Sequence, residues 1–256
     1  ISNVLNASTT STNVNCFGDS TGTATVTPSG AQPTVLYQWS NGKTTATAST
    51  LKAGTYTVSV SDGGGCSTTK SFTITQPASL PSATVTPAAV NCFGGTNGAA
   101  SVTGSGGTAG YTFAWTGGAT GTSVSNLSSG SYTVTVTDSK GCTATKAFSV
   151  TQPTSLPSAT VTPTAVSCFG GTNGAASVTG SGGTAGYTYA WTGGATGTSV
   201  SNLSSGSYTV TVTDSKGCTA TKAFSVTQPT SLPSATVTPT AVSCFGGTNG
   251  AASVTG

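Results

Sequence analysis

The residues of this chain that could carry covalent or metal chemistry are its cysteines, which form two series with a spacing of 76 residues. Each cysteine of the first series is followed by Phe-Gly, and this series consists of Cys16, Cys92, Cys168 and Cys244. The second series consists of Cys66, Cys142 and Cys218. There is no histidine, and only 4% of the 256 residues are charged. Acid–base catalysis needs a base beside a nucleophile, and zinc or iron sites need clustered Cys and His. The composition therefore predicts a protein that is not an enzyme and has no catalytic residue, metal or cofactor.

The distribution of charged and apolar residues argues against nucleic-acid binding and against a membrane span. Seven basic and four acidic residues, for a formal net charge of +3, are scattered along the chain and form no basic patch for nucleic acid. No run of about 18 apolar residues could span a bilayer, and no charged-then-apolar leader is present. Because the chain begins at Ile1 and stops at Gly256 within a motif, we expect it to be an interior piece of a longer protein.

Internal repeats predict the organisation of the chain. Residues 92–167 and 168–243 differ at a single position, Phe113 against Tyr189. Proline-containing linkers such as 152–157 separate the repeats, and such linkers end strands and are semi-rigid. We therefore divide the chain into Ig-like repeats at 1–77, 78–153 and 154–229, with 230–256 as the start of a truncated fourth repeat.

Within each repeat the pattern is that of β-strands. Residues 131–137 alternate Tyr or Val with Ser or Thr, which is the period-two pattern of a half-buried strand. About six or seven strands in a unit of this length are typical of an immunoglobulin-like sandwich. We predict an all-β fold of tandem immunoglobulin-like β-sandwich domains of 76 residues that form an extended rod. The predicted core consists of Trp39, Trp115, Trp191, Tyr56, Tyr132, Tyr208, Phe72, Phe148 and Phe224.

Three further features have a structural and a functional interpretation. The alternating aromatic residues Tyr111, Phe113 and Trp115 could stack on sugars, but in a sandwich such residues are more often core. One aspartate per repeat (Asp62, Asp138, Asp214) lies in a predicted turn, and calcium normally requires several carboxylates, so we favour a turn-forming role. Asn126 and Asn202 each open a glycosylation sequon, which we expect to be unused.

The cysteines allow two periodic disulfide pairings. One lies within each repeat (Cys16 with Cys66, Cys92 with Cys142, Cys168 with Cys218), and the other links neighbours (Cys66 with Cys92, Cys142 with Cys168, Cys218 with Cys244). We favour the first, because the core is thin and closing a loop of roughly 50 residues adds about 4 kcal/mol in the chain-entropy treatment. Disulfides would place the protein outside the cytoplasm.

The order of motifs resembles a known family. The segments 16–24, 37–42, 51–58 and 62–66 are similar to the SprB-repeat family of large Bacteroidota cell-surface proteins. The resemblance implies surface adhesins that are exported by the type IX secretion system and are associated with gliding and attachment. The later repeats depart from the pattern because Gly95, Gly171 and Gly247 replace the acidic Asp19, so no binding role is assigned to Asp19.

The functional hypothesis is a structural shaft. We predict the shaft of a secreted cell-surface adhesin or extracellular filament used for attachment, with a carbohydrate-binding adhesion module as the alternative. The outward positions Thr133, Thr135 and Thr137 are uncharged, and few charges oppose contact between copies. We therefore expect a homo-oligomer or fibre built by lateral contacts, with surface glycans as further candidate partners.

Overall fold

A computed structural model describes residues 4–256, and its regular elements are β-strands. The first six are β1 (Asn6–Thr12), β2 (Gly22–Ser29), β3 (Leu36–Trp39), β4 (Thr47–Leu51), β5 (Gly54–Ser61) and β6 (Ser67–Ile74). The next six are β7 (Ser82–Ala88), β8 (Gly98–Ser105), β9 (Thr112–Trp115), β10 (Ser123–Leu127), β11 (Gly130–Thr137) and β12 (Thr143–Val150). They are followed by β13 (Ser158–Thr164), β14 (Gly174–Ser181), β15 (Thr188–Trp191), β16 (Ser199–Leu203), β17 (Gly206–Thr213) and β18 (Thr219–Val226). The last two are β19 (Thr236–Thr240) and β20 (Ala251–Thr255).

Each set of six strands forms two antiparallel sheets of three strands. The orders are β1-β2-β4 and β3-β5-β6 in the first set, and the second and third sets repeat them; β19 and β20 pair with each other. In immunoglobulin terms these are sheets A-B-E and C-F-G, without strand D. The all-β, immunoglobulin-like fold is therefore confirmed. We call β1–β6, β7–β12 and β13–β18 the first, second and third sandwich.

Strands such as β11 have one apolar, buried face and one polar, more exposed face, as the alternating sequence pattern predicts. In β11, Val134 and Val136 are fully buried, whereas Thr133 between Tyr132 and Val134 is exposed. β-Branched side chains suit this pleated, half-buried arrangement. Each sandwich encloses its own apolar cluster, drawn from both of its sheets.

The tryptophan of each C strand lies inside this cluster. Trp115 on β9 is 4% exposed, its Nε1 donates a hydrogen bond to the Gly121 carbonyl (2.8 Å), and its ring meets Phe148 edge-on at 5.7 Å. Tyr132 stacks on the same Phe148, and its hydroxyl donates to the Ser128 carbonyl (3.0 Å), which forms a tyrosine corner at the start of β11. Of the predicted core, the tryptophans Trp39, Trp115 and Trp191 are buried, whereas the tyrosines and phenylalanines are half-buried at its edge. The tyrosines stay at the edge because their hydroxyls reach backbone carbonyls there.

Of the other two members of the aromatic trio, Phe113 lies in the sandwich interior and Tyr111 lies half-buried at its edge. Phe113 is buried, and Tyr111 packs against the same cluster while its hydroxyl donates to the Gly106 carbonyl (2.6 Å). The core interpretation of Tyr111, Phe113 and Trp115 is therefore the one that the structure supports.

The chain divides into two compact units. One comprises Ile1–Val90 and Gly95–Thr151, and the other Asn91–Gly94 and Gln152–Gly256. The first unit contains the first two sandwiches, and the second contains the third sandwich and the short segment that carries Cys92. Residues 4–256 include no apolar helix of the length that crossing a membrane requires.

Candidate functional site at the disulfide junction

The two cysteines of one sandwich lie at its opposite ends. After β1 the chain runs beside the end of β6, where the Val14 N–H donates to the Thr75 carbonyl (2.9 Å). Cys16 follows two residues later, so it lies near the last residue of β6, whereas Cys66 directly precedes the first. At about 3.3 Å per residue, an eight-residue strand separates the two by roughly 25 Å.

That separation makes the favoured pairing within each repeat wrong. A disulfide joins Cα atoms about 4.4–6.8 Å apart, and the structure instead bonds Cys16 to Cys142 and Cys92 to Cys218, each with Cα atoms 5.7 Å apart and 126 residues apart in sequence. The alternative pairing, for example Cys66 with Cys92, is wrong as well. Cys66, Cys168 and Cys244 are free and exposed.

The second cysteine of each bond sits on a hairpin that is shaped by an aspartate. We call residues 138–142, and the equivalent residues 62–66 and 214–218, the Asp–Cys hairpin. Asp138 Oδ1 accepts the N–H groups of Lys140 and Cys142 (both 2.9 Å), and its Oδ2 accepts the Thr108 N–H (2.9 Å). Gly141 supplies the left-handed conformation that the turn needs, with φ of 83°. Asp138 is therefore the turn-forming residue that the sequence predicted, and its oxygens face N–H donors.

These donors also determine the acidity of the carboxyl group. The Thr108 N–H is the largest cause of a lowered pKa for Asp138, burial opposes it, and the N–H groups of Cys142, Lys140 and Gly141 lower the pKa further. Asp62 and Asp214 have lowered pKa values for the same kind of reason. Within residues 4–256, no three Cys, Asp or Glu side chains gather as a metal site would require.

The hairpin should loosen in acid. Because the pKa of Asp138 is lowered from 3.8 on folding, its charge stabilises the hairpin above that pH, and this contribution is lost as the pH falls through the folded value. We expect the amides of Lys140 and Cys142 to lose protection from hydrogen exchange over this range, after correction for intrinsic rates. Asp138→Asn should remove the pH dependence and lower protection at neutral pH, whereas Asp19→Asn, at an exposed position, should do neither. Unchanged protection in Asp138→Asn would contradict the role assigned to the carboxylate.

The first cysteine of each bond lies in a loop held by a glutamine. The Gln76 side-chain oxygen accepts the Gly18 N–H (2.9 Å), and Gln152 and Gln228 do the same for Gly94 (2.8 Å) and Gly170 (2.9 Å). Each of these glutamines precedes the proline at a predicted boundary. The Gln-Pro dipeptide therefore both ends the sandwich and positions the Cys-Phe-Gly loop.

In the first compact unit these parts meet at a junction between the first and second sandwiches. The Gly107 N–H donates to the Ser79 carbonyl in the linker (3.0 Å), and the neighbouring Thr108 binds Asp138, so linker, loop and hairpin are connected. Cys142 is 4% exposed, and its Sγ lies 3.4 Å from the Asn15 carbonyl oxygen. A cavity of about 560 Å³ beside the bond is lined by residues of both sandwiches, including Lys140.

The second compact unit contains the same arrangement. Cys218 is 5% exposed, and its Sγ lies 3.4 Å from the Asn91 carbonyl oxygen. Asp214 accepts the N–H groups of Thr184, Lys216 and Cys218 at 2.9 Å each. The junction is thus a repeated feature with constant local geometry.

Comparison with protein families supports the resemblance seen in the sequence. A family model described as SprB repeat matches residues 8–44, 82–120 and 160–196. The chain carries SprB repeats. Each match covers the first three strands of a sandwich and the Cys-Phe-Gly loop, so the SprB match includes one half of the junction and ends before the hairpin.

Solved structures with similar folds have low sequence identity to this chain. The N-terminal eight Ig domains of Down Syndrome Cell Adhesion Molecule share 13% identity with a TM-score of 0.35, over 76% of this chain and 32% of that one. The BSP domain of a biofilm associated protein shares 13% identity (TM-score 0.30; 89% and 67% covered), and domains 4–9 of the surface layer protein SbsC share 14% (0.24; 92% and 49%). The chain spans about a third of the first of these structures. No curated protein sequence matches it.

Two parts of the junction were not predicted from the sequence. The glutamines have a visible signal, since each stands at the same position before a boundary proline, but that position by itself predicts only a linker. The disulfide pairing over 126 residues has no signal within the sequence of a single repeat, because it depends on which end of a sandwich each cysteine-containing loop occupies.

Proposed function

We propose that this chain forms the structural shaft of a secreted cell-surface adhesin or extracellular filament used for attachment. The observation that supports it is the overlap of the two disulfides. Cys92 lies inside the loop closed by Cys16 and Cys142, and Cys142 lies inside the loop closed by Cys92 and Cys218.

The overlap changes how the chain is connected. Three backbone segments, 16–92, 92–142 and 142–218, run in parallel between the two disulfides. A break in any one segment leaves two intact covalent routes. A protein exposed to proteases and to pulling forces gains from this redundancy, whereas a binding module that acts alone does not need it.

The other features of the chain agree with a shaft outside the cell. Disulfides persist in oxidising compartments, and SprB repeats imply surface adhesins exported by type IX secretion and associated with gliding. We propose that localisation and export route here, together with the absence of catalysis that the composition predicts. The carbohydrate-binding alternative loses its main support, since Phe113 and Trp115 are buried. Surface glycans stay a prediction.

We also propose that several shafts associate side by side. On the outer face of the second sandwich, the hydroxyls of Thr116 and Thr133 lie 2.9 Å apart and those of Thr135 and Thr145 lie 3.2 Å apart. Such pairs satisfy each other across strands and leave a neutral surface. A formal net charge of +3 opposes contact between copies only weakly, and a contact made by one repeat can recur along the chain.

A cut in a linker tests the covalent overlap. A specific protease site inserted in residues 78–81 should be cleaved, yet the two fragments should migrate as one species without reductant, because the bond from Cys16 to Cys142 spans the cut. Cys142→Ser should release the fragments, whereas the matched variant Cys218→Ser should not. Separation of the fragments in the unreduced parent protein would refute the proposed shaft connectivity.

A further inference from the structure

The free cysteines Cys66 and Cys168 match the two halves of the junction already formed elsewhere in the chain. We propose that each is an open half-junction that binds another SprB repeat: Cys66 takes a Cys-Phe-Gly loop, and Cys168 takes an Asp–Cys hairpin. The proposal rests on the junction of the proposed shaft and adds the partner that this junction recognises.

The hairpin of Cys66 has the same hydrogen bonds as the hairpins that are bonded. Asp62 Oδ1 accepts the N–H groups of Gly64 and Cys66 (both 3.0 Å), and its Oδ2 accepts the Gln32 N–H (2.9 Å). Asp138 and Asp214 hold Cys142 and Cys218 in the same way. The difference is exposure, because Cys142 is covered by its partner loop whereas Cys66 is exposed. Cys66 is therefore held in the bonding conformation with its partner position open.

The loop of Cys168 likewise has the hydrogen bonds of the bonded loops. The Gly170 N–H binds the Gln228 side chain (2.9 Å), and the Gly171 N–H donates to the Cys168 carbonyl (3.0 Å). The corresponding contacts hold Cys16 in its bonded loop. A cavity of about 410 Å³ adjoins Cys168, with Phe169 (44% exposed) and Leu232 (64% exposed) on its wall. Phe169 is as exposed as Phe17 and Phe93 in the two bonded loops. Cys168 is exposed, whereas Cys16 and Cys92 are half-buried, so the open position lies at the thiol itself.

Cys244 is the less suitable partner for Cys66. Its loop has the same Cys-Phe-Gly sequence, but β19 and β20 are the only strands of its sandwich within the described residues. The loop of Cys168, like the two bonded loops, is closed by a glutamine side chain, since Gln228 accepts the Gly170 N–H as Gln76 and Gln152 accept those of Gly18 and Gly94. We therefore assign the loop half of the junction to Cys168.

The bond forms by ordinary thiol–disulfide exchange. The Cys66 thiolate attacks glutathione disulfide and releases one glutathione, and the Cys168 thiolate of a second chain then attacks the Cys66 sulfur of the mixed disulfide and releases the other. The two protein thiols are oxidised to one disulfide, and one glutathione disulfide is reduced to two glutathione molecules. The proton of each attacking thiol passes to the departing glutathione thiolate.

Incubation of the 256-residue protein in a glutathione redox buffer tests the proposal, with a second copy of the chain as the probe. We expect a ladder of linked copies on a gel without reductant, and peptide mapping should recover Cys66 joined to Cys168. Cys66→Ser and Cys168→Ser should each abolish the ladder, whereas the matched variant Cys244→Ser should leave it unchanged.

Two outcomes would overturn the proposal. One is a chain that stays monomeric although the bonds from Cys16 to Cys142 and from Cys92 to Cys218 have formed, which would leave the proposed shaft intact. The other is a mixture in which Cys66, Cys168 and Cys244 are linked at random. Failure of the two internal bonds themselves would instead contradict the proposed function.

Discussion

Under tension, we expect Cys16 and Cys218 to separate to only about 170 Å in the oxidised chain, at about 3.4 Å per residue, and to about 690 Å in the reduced chain. The reduced value follows from the 202 residues between the two positions. In the oxidised chain the shortest of the three parallel segments, the 50 residues from Cys92 to Cys142, becomes taut first. Single-molecule force spectroscopy on the chain held at its ends measures the difference directly.

Single variants give a sharper test of the same connectivity. With Cys16→Ser or Cys218→Ser, one bond is lost and a 76-residue segment limits the extension, so we expect about 260 Å between the same two positions. Cys66→Ser should behave like the parent protein, because Cys66 takes part in neither bond. A longer extension in Cys66→Ser would restore the rejected pairing within a repeat, and equal extension with and without reductant would exclude any bond between the two positions.

The second large effect concerns the buried tryptophan. Trp115→Ala should destabilise the second sandwich by about 3–5 kcal/mol, because it removes a buried ring, leaves a cavity and deletes a hydrogen bond. Trp115 is 4% exposed, packs edge-on against Phe148 and donates to the Gly121 carbonyl. Hydrogen exchange of the Val134 and Val136 amides reports on this sandwich separately from the other two.

A natural replacement supplies the matched control. Phe113→Tyr reproduces the single difference between residues 92–167 and 168–243, where Tyr189 packs against the equivalent cluster, so we expect a change within about 1 kcal/mol. If Trp115→Ala were as stable as the parent and lost binding to a glycan, the carbohydrate-binding hypothesis would replace the structural one.

The features that follow from local periodicity were predictable from the sequence. Alternation in 131–137 indicated β11, since side chains of a strand point to opposite faces whatever lies around it. The constant phase of Trp39, Trp115 and Trp191 indicates one repeated sandwich, and the aspartate that recurs in each repeat, as at Asp138, indicates a turn. The succession of these motifs was also enough to predict the SprB family.

The partner of each cysteine was decided only by the tertiary structure. Cys16 and Cys66 are the two cysteines of the first repeat, yet they lie at opposite ends of strand β6. The chain after β1 runs beside β6 to the end that is far from Cys66. Sequence spacing measures distance along the chain, whereas a disulfide requires two backbones within a few ångströms. That proximity arises from the order of strands in two sheets and from where the linker places the next hairpin, as at Ser79 and Gly107. The cysteine types and their period were therefore local information, and their pairing was a property of the fold.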